Sequence, residues 1–420
     1  MKKYISAICI LAIFVALLVE LPFFQHILSA HAAPAAPASK ATPAQARQAT
    51  SSSAMSFVHA CSQASAGSAS CMAMMSTTTV QPTFATPVAH PMLAGGGATP
   101  AAATGSAAPY GPTALHNAYN LPMTTATSQN QTVAIVDAFD DPNAETDLAT
   151  YRSMFGLPAC TTANGCFQKV NQTGGATPPA PNAQWAVEIS LDLDMASAVC
   201  TNCKILLVEA TSNSFTDLGT AVNEAVTLGA TAVSNSYGGT EVAGDVAGCS
   251  QFYSHAGVVV TASSGDASLS LNSPADCPNV VAVGGTTLNP NGTETAWNTS
   301  ATAGAGGGCS AQIPLPTWQV QTVTNCAMRA IADVSAVADP NTGVFVEDTY
   351  QQGGGLQVGG TSASSPLVAA VYALAGGTPN ATSAAMVPWA NHANNCLNVV
   401  GGTTYGFQTG LGSPNGLNCF

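Results

Sequence analysis

Short apolar runs recur along the chain after residue 109, and most are too continuous for strands with one solvent-exposed face. Runs rich in Val, Ile and Ala fall at residues 131–137, 204–209, 231–236, 257–262 and 279–283. Such runs are typical of strands covered on both faces, as in parallel sheets. Helical patterns occupy residues 143–154 and 217–228, and a last helix is predicted over residues 361–375. The alternation predicts an α/β domain with a mostly parallel sheet.

The first 108 residues lack this alternation. Two lysines precede an apolar stretch at residues 4–24, and Ala30-His-Ala32 offers a cleavage site before Ala33. Residues 1–32 therefore predict an export signal and an extracellular protein, with a retained membrane anchor as the alternative because the apolar stretch is long. Residues 33–108, rich in Ala, Pro, Ser, Thr and Gly, predict a flexible low-complexity linker or reduced pro-region. Residues 109–420 would form the folded domain.

Charged residues are sparse, at 7% of 420, and 21 acidic against 8 basic residues give a net charge of −13. Nucleic-acid binding needs clustered Lys and Arg, so it is excluded as a function. A hydrophobic content of 46% excludes a disordered polyanion. After residue 109 the chain carries twenty acidic and four basic residues. At low pH most of these carboxylates are neutral and few cations remain to repel one another, which suits a protein that works in acid.

Cysteine usage agrees with export. One of the 13 cysteines, Cys9, lies in the signal. The other twelve fall in neighbouring couples, which predict disulfides in an oxidising compartment: Cys61 with Cys71, Cys160 with Cys166, Cys200 with Cys203, Cys249 with Cys277, Cys309 with Cys326, and Cys396 with Cys419. The Cys200-Thr-Asn-Cys203 stretch could instead be a redox motif or half of a zinc site, but no second such pair accompanies it.

Ser362 is the strongest candidate nucleophile. It lies among small residues where a loop enters an apolar helix, so it would gain from the helix dipole and leave room for a substrate; an ordinary helix cap is the alternative. A nucleophilic serine needs a base, usually histidine. The domain's three histidines, His116, His255 and His392, have no suitable sequence context and are interpreted as structural or surface residues. A histidine-dependent protease therefore lacks a candidate base.

Carboxylates offer another base. Glu188 and Asp192 would share one face of a helix, where mutual repulsion and burial raise at least one pKa and make an acid–base pair. Two solvated surface acids are the alternative, although Ile189, Leu191 and other apolar neighbours argue against an exposed face. Asp266 follows the run at residues 257–262, at the strand end where α/β folds place their sites. A loop aspartate that bonds its own backbone is the alternative there.

The order and context of these residues resemble the sedolisin family of serine-carboxyl peptidases. The matching stretches are Glu188-Ile-Ser-Leu-Asp192, Ser264-Gly-Asp266 and Gly360-Thr-Ser362, supported by residues 233–239, 333–340 and 409–414. The resemblance covers the chain from about Tyr110 to the C-terminus. It implies a subtilisin-like three-layer α/β domain with a mostly parallel central sheet.

The resemblance also implies roles. Ser362 would attack a peptide carbonyl, Glu188 would accept its proton, and Asp192 would support Glu188. Asp266, kept protonated, would donate to the oxyanion, since a neutral acid can donate to a developing negative charge. Peptides or proteins would be the partners of a monomer. Two strand-end residues that some relatives share would extend the network, Asp137 and Tyr237; the alternative is that they are ordinary polar residues at strand ends.

Two departures from the family stand out. Relatives bind calcium near the C-terminus, but Asn398 and Gly406 stand where Asp is expected, so we expect neither calcium nor another cofactor. A bond between Cys396 and Cys419 would stabilise that region instead. Relatives also carry a long folded propeptide, whereas the corresponding stretch of this chain is short and of low complexity. We therefore do not expect autocatalytic maturation of the kind that relatives undergo. The alternative function is a catalytically weak or inactive secreted relative that acts as a binding or surface protein.

Overall fold

The computed structural model describes residues 55–82, 109–378 and 380–420. The predicted export signal and the rest of the low-complexity stretch lie outside the described residues. The helices are α1 (Pro112–Ala118), α2 (Ala144–Met154), α3 (Ala183–Val199), α4 (Phe215–Thr227), α5 (Asp245–Phe252), α6 (Gln321–Thr324), α7 (Thr361–Ala375) and α8 (Met386–Asn391).

The strands in the described part of the chain are mostly short. They are β1 (Phe57–His59), β2 (Ser70–Cys71), β3 (Met74–Ser76), β4 (Thr132–Ala138), β5 (Phe167–Asn171), β6 (Lys204–Ala210), β7 (Ala232–Asn235), β8 (Tyr237–Thr240), β9 (Val259–Ser263), β10 (Asn272–Ser273), β11 (Val281–Leu288), β12 (Glu294–Ala296), β13 (Asn298–Ser300), β14 (Ala303–Gly304), β15 (Gly308–Pro314), β16 (Met328–Ile331), β17 (Val334–Val337), β18 (Val344–Asp348), β19 (Gly354–Gly359), β20 (Leu397–Asn398) and β21 (Ser413–Pro414).

The central sheet has the order β12-β11-β9-β7-β4-β6-β5, and β17 also pairs with β11. All its pairings are parallel except that of β12 with β11. The five apolar runs form β4, β6, β7, β9 and β11, as the sequence predicts. Their side chains are buried on both faces, which explains why these strands show continuous apolar runs instead of alternation.

Two buried helices carry three of the candidate residues: Glu188, Asp192 and Ser362. Every residue of α3 after Gln184 is buried, and α3 packs against α7, which in turn packs on β7, β9 and β17. Apolar residues lie on every side of α3, and none of its faces is exposed, which suits such a position inside the domain. Asn182 caps α3 by accepting hydrogen bonds from the backbone N–H groups of Gln184 (2.9 Å) and Trp185 (3.2 Å). Helix α7 has the predicted bounds, but it is not the last helix, because α8 follows it.

The structure corrects the expectation of a flexible segment for part of residues 33–108. Strands β1 and β3 extend a four-stranded sheet, β1-β3-β19-β18, and β2 joins a second one, β10-β8-β2. Ala69, Cys71 and Ala73 are buried in the process. Low complexity conceals this packing because the small side chains lie against the domain while backbone groups, which every sequence has, form the pairing.

Six disulfides join the described cysteines in the pairs that neighbour spacing predicts. They link Cys61 to Cys71, Cys160 to Cys166, Cys200 to Cys203, Cys249 to Cys277, Cys309 to Cys326, and Cys396 to Cys419. The bond between Cys200 and Cys203 excludes the alternative of a half zinc site in this state. Two of the bonded cysteines are less buried than the others. Cys166 is half-buried, and Cys309, whose partner Cys326 is buried, is exposed.

Membrane-spanning helices were also sought. Across the described ranges, no helix has both the length and the hydropathy that crossing a bilayer requires. The predicted anchor alternative concerns residues 1–32, which lie outside those ranges.

Candidate active site

Ser362 is the second residue of α7 and is fully buried. Its hydroxyl donates a hydrogen bond to the Ser236 carbonyl, at 3.1 Å. Gly360 precedes the helix with a φ of 96°, a left-handed conformation that favours glycine. A Cβ atom at Gly360 would also lie 2.1 Å from the Met72 carbonyl oxygen and 2.5 Å from Asp266 Oδ2. The glycine therefore lets two oxygens approach the start of the helix that holds Ser362.

Glu188 and Asp192 lie one turn apart on α3, and both are fully buried. None of their four carboxylate oxygens has a hydrogen-bonding partner. Burial first, and then the negative charges of Asp192 and Asp137, raise the pKa of Glu188 well above its ordinary value. The nearby Ser362 hydroxyl opposes part of this rise, although its hydrogen bond is directed to Ser236. Glu188 and its neighbours therefore cannot all be ionised together at low cost.

Asp192 and Asp137 complete a group of three buried carboxyls. Burial raises the pKa of Asp192 well above its ordinary value, and the nearby side chains of Ser236 and Glu188 oppose the rise. Asp137 lies near the end of β4, and burial together with the charges of Asp192 and Glu209 raises its pKa as well. Such a group binds protons that isolated carboxylates would release, and it can pass a proton to and from an adjacent hydroxyl.

Asp266 follows β9 and is 3% exposed. Its Oδ1 accepts hydrogen bonds from the Thr361 backbone N–H (2.7 Å) and the Thr361 hydroxyl (2.9 Å), while Oδ2 has no partner. Burial raises the pKa of Asp266 to about 7, and the two bonds from Thr361 oppose a larger rise. In acid this carboxyl is neutral, so its free oxygen can carry a proton next to the start of α7.

Tyr237 belongs to the site in a different way from Asp137. Its hydroxyl donates to Asn235 Oδ1 (2.8 Å) and lies 3.3 Å from the Tyr253 hydroxyl, and its ring centre lies 6.4 Å from that of Trp185. None of these hydrogen bonds involves a carboxyl. Asp137 therefore interacts with Asp192 and Glu188, whereas Tyr237 makes its hydrogen bonds to Asn235 and Tyr253. Burial, Tyr253 and the charge of Asp137 raise the pKa of Tyr237, so the two residues of the predicted extension lie near each other.

The three histidines of the domain bond to backbone groups elsewhere. His116 is buried between the carbonyls of Leu121 (3.2 Å) and Ala198 (2.9 Å). His255 bonds to Phe252 O at 2.9 Å, and His392 to Trp389 O at 2.8 Å. None of these contacts reaches Ser362, which agrees with the interpretation of the histidines as structural residues.

Two residues at the site were missed from the sequence. The Ser236 carbonyl accepts a hydrogen bond from Ser362, and the Ser236 side chain opposes part of the rise in the pKa of Asp192. Thr361 positions Asp266 with two hydrogen bonds. Both lie within stretches that carry the family resemblance, at residues 233–239 and 360–362. A signal was therefore present, but chemistry alone does not single out one Ser or Thr among so many.

The C-terminal region does not fit a calcium ion. Asn398 uses its side-chain amide to donate to Pro414 O (2.9 Å), and the Gly406 N–H donates to Gly410 O (3.0 Å). Calcium prefers several charged oxygens, which these groups do not supply. The disulfide between Cys396 and Cys419 closes this region, as expected from the sequence. The expectation of a calcium-independent protein stays a prediction.

One other group of ligand-type atoms converges elsewhere in the domain. In the part of the chain that the structure describes, the one convergence of three acidic, His or Cys ligand atoms is Cys249, Asp276 and Cys277. Its two cysteines are bonded to each other, so their sulfurs are not free to bind a metal ion.

Comparison with known proteins adds independent observations. The model of the subtilase family matches residues 170–395. Kumamolisin from Bacillus sp. (strain MN-32) is 31% identical over 296 residues, which are 63% of this chain and 51% of that protein. Sedolisin from Pseudomonas sp. (strain 101) is 27% identical over 326 residues, 68% of this chain and 54% of that protein. The chain thus spans about half the length of the curated relatives it matches.

A solved structure of Pseudomonas sedolisin, described as a serine-carboxyl proteinase complexed with two molecules of pseudo-iodotyrostatin, has the same fold. It superposes with a TM-score of 0.62 at 26% identity and covers 74% of this chain and 96% of that one. The subtilisin-like arrangement of a parallel sheet flanked by helices is thereby confirmed. Since the family model spans more than half of the chain, the chain belongs to the subtilase family, and its matches to kumamolisin and sedolisin support the sedolisin family within it.

Proposed function

We propose that the chain is an acid-acting serine-carboxyl endopeptidase that hydrolyses peptide bonds through an acyl-enzyme on Ser362. One observation carries this proposal: three buried carboxyls with raised pKa values adjoin a buried serine at a helix N-terminus, beside a fourth carboxyl, Asp266, that is neutral in acid. Ionisable groups of this kind seldom converge for structural reasons, because each one costs desolvation energy.

Glu188 is the proposed base. For the reaction, the Ser362 hydroxyl turns from the Ser236 carbonyl to Glu188, which accepts its proton as Oγ attacks the peptide carbonyl carbon. Glu188 then gives this proton to the departing amine, and a water molecule repeats the sequence on the acyl-enzyme. Asp192, one turn along α3, holds or releases a proton as the charge on Glu188 changes. A raised pKa makes Glu188 a stronger base than an exposed glutamate.

Asp266 and the Ser362 backbone N–H are the proposed oxyanion donors. Protonated Asp266 donates from Oδ2 to the oxygen that becomes negative, while ionised Asp266 would repel it. Because burial raises the pKa of Asp266 to about 7, the donor is present in acid and is lost as pH rises through that value. Activity should therefore fall between weakly acidic and weakly alkaline pH.

Site variants test the proposal through hydrolysis of a quenched fluorescent peptide from pH 3 to 8. Ser362→Ala should abolish turnover. Glu188→Gln should lower kcat by a factor on the order of 10² to 10⁴, the usual contribution of a general base. A matched control is Ser364→Ala, in the same helix, whose hydroxyl donates to the carbonyls of Ala336 and Val337. Turnover that survives Ser362→Ala, or an alkaline optimum, contradicts the proposal.

We also propose that the chain is exported from the cell. The six disulfides support an oxidising compartment, and residues 1–32 supply the signal. N-terminal sequencing of protein from the culture medium should read from Ala33 or beyond. Protein that stays with the membrane and begins at Met1 would support the anchor instead. Peptides or proteins are the proposed substrates of a monomer.

A further inference from the structure

The side chain of Glu209 lies next to Asp137, one of the three buried carboxyls at the candidate site. Strands β4 and β6 pair in parallel with Asp137 opposite Glu209. Opposite residues on neighbouring strands, which lie about 4.8 Å apart, project from the same face of a sheet. Both side chains are fully buried. Burial raises the pKa of Asp137 most, and the charges of Asp192 and Glu209 add to the rise. The sheet therefore sets a fourth acid beside the three.

A lysine holds one oxygen of Glu209. Glu209 Oε1 accepts hydrogen bonds from Lys169 Nζ (2.9 Å) and from the Asp141 backbone N–H (3.1 Å), while Oε2 has no partner. Lys169 lies opposite Leu207 in the pairing of β5 with β6, so it projects from the same face as Glu209. Lys169 also bonds to Asp140 and to Asp141 O (2.6 Å). Its side chain is 24% exposed, so the ion pair connects buried Glu209 with solvent.

The ion pair decides which of two neighbouring carboxyls carries a proton. Burial lowers the pKa of Lys169, but the charges and hydrogen bonds of Glu209 and Asp140 outweigh burial and raise it, so Lys169 stays charged. An ammonium group and a backbone N–H at Glu209 Oε1 favour its carboxylate form. Neither oxygen of Asp137 has a hydrogen-bonding partner. A single proton shared by the two carboxyls therefore belongs on Asp137, and the negative charge belongs on Glu209.

The other Lys and Arg side chains after residue 109 are engaged elsewhere. Arg329 pairs with Asp333, Lys204 is exposed at the start of β6, and Arg152 bonds to neutral oxygens. Helix α4 also packs on β4 and β6, but both its acids lie against the loop after β5: Asp217 and Glu224. The remaining titratable groups that face Asp137 or Glu209 are acids and a phenol: Glu188 and Asp192 from α3, Tyr237 from β8, and Asp140 from the loop after β4.

We propose that Glu209, held ionised by Lys169, is a positioning residue that keeps a proton on Asp137 and so leaves the negative charge of the buried carboxyls to Glu188. The proposal rests on the proposed function, in which ionised Glu188 is the base. Asp137 and Glu188 compete for this charge, because two buried carboxylates close together repel each other. Glu209 weakens Asp137 in the competition, and Lys169 keeps Glu209 charged.

The acidic limb of the kcat profile tests the proposal in the full-length chain. Glu209→Gln keeps an acceptor oxygen for Lys169 and for the Asp141 N–H but removes the charge, and Lys169→Met removes the cation that holds this charge. Each substitution lets Asp137 ionise more easily, so each should move the acidic limb to higher pH. The matched control is Lys204→Met, a lysine at the exposed start of β6, which should leave the limb in place.

Combination with Asp137→Asn separates this role from a structural one. Asn at position 137 cannot ionise, so in that background Glu209→Gln and Lys169→Met should leave the acidic limb where Asp137→Asn alone puts it. A limb that moves to lower pH in Glu209→Gln, as expected when a distant carboxylate is simply lost, overturns the proposal. A limb that stays in place in the folded single variants overturns it too, and so does a shift that persists with Asp137→Asn.

Infrared spectroscopy in a Ser362→Ala background follows the proton on Asp137 without catalysis. The carbonyl stretch of a protonated carboxylic acid, assigned to Asp137 by its loss in Asp137→Asn, is titrated from pH 3 to 8. In Glu209→Gln this band should disappear at lower pH than in the chain with Glu209. A band that titrates identically in the two folded chains overturns the proposal. If the band shifts as expected and no chain hydrolyses peptide, the placement of the proton by Glu209 is confirmed and the proposed peptidase activity is wrong.

Discussion

Replacement of Asp266 by Asn should change the pH dependence of stability in a way that can be calculated. In the fold, the pKa of Asp266 rises from its ordinary 3.8 to about 7 because the carboxyl is buried. A carboxyl with a raised folded pKa stabilises the protein most at low pH, and that contribution is lost as pH rises from the unfolded toward the folded value. Asn keeps the acceptor oxygen for Thr361 but cannot ionise.

The magnitude follows from the two pKa values. Each unit of difference corresponds to about 1.4 kcal/mol, so ionisation of Asp266 in the fold costs about 4 kcal/mol at a pH above both values. Below pH 3.8, where the carboxyl is neutral in both states, Asp266 and Asn should differ in the free energy of unfolding by no more than about 1 kcal/mol. At pH 8 the Asn variant should be more stable by about 4 kcal/mol.

Urea unfolding at pH 3.5, 5, 6.5 and 8 measures this difference, with Ser362→Ala in both chains to prevent self-digestion. The matched control is Asp217→Asn at the start of α4, where hydrogen bonds from Ser212, Gln172 and Ser214 outweigh burial and lower the pKa of the carboxyl. Its effect should have the opposite sign, with a loss of stability at neutral pH that disappears in acid. A difference between Asp266 and Asn that does not vary from pH 3.5 to 8 would refute the neutral-acid assignment.

Three further predictions concern the rest of the domain. Asp137→Asn should move the acidic limb of the kcat profile to lower pH, because ionised Asp137 raises the pKa of Glu188 and Asn carries no charge. An acidic limb at the same pH in both chains contradicts this coupling. Asp333→Ala should destabilise the fold by about 3 to 5 kcal/mol in urea, because it leaves the buried Arg329 guanidinium unpaired; a loss below about 1 kcal/mol would contradict this. Scanning calorimetry with calcium or a chelator should give the same Tm, and a large calcium-dependent increase would show that the C-terminal region binds the ion.

The fold could largely be predicted because the strands of the central sheet are buried on both faces. Such strands show continuous apolar runs, and β4 and β6 were located within one residue of their observed ends. Helix α4 has the highest contrast between its two faces and was located within two residues. Helix α3 is buried and lacks that contrast, so the pattern of its residues does not by itself predict a helix. The pairing of strands β1, β2 and β3 with the domain was not predictable, because these short strands leave no apolar run in the sequence and their pairing is made by backbone groups.

The candidate site could be predicted where chemistry restricts the residue type. A carboxylate inside an apolar helix is costly, so Glu188 and Asp192 are conspicuous in the sequence. Met72 is not conspicuous, because it bonds to Ser236 and Ser362 through its backbone N–H and carbonyl. The contact between residues 72 and 362 also joins distant parts of the chain, and no local pattern reports such a contact. Sequence reasoning therefore found the groups that exchange protons and missed the strand that lies on them.

The low charge of the chain and its buried carboxyls have one physical consequence in common. Burial also raises the pKa of Asp276 and Asp348 to about 8, so these groups, like Asp266, hold protons in the fold that an unfolded chain releases above about pH 4. Stability should accordingly decrease as pH rises from about 4 toward 8. In acid, the few basic residues after residue 109 produce little mutual repulsion. The pH range in which the fold is most stable is thus the range in which Asp266 can donate its proton, so stability and the proposed catalysis require the same protonation.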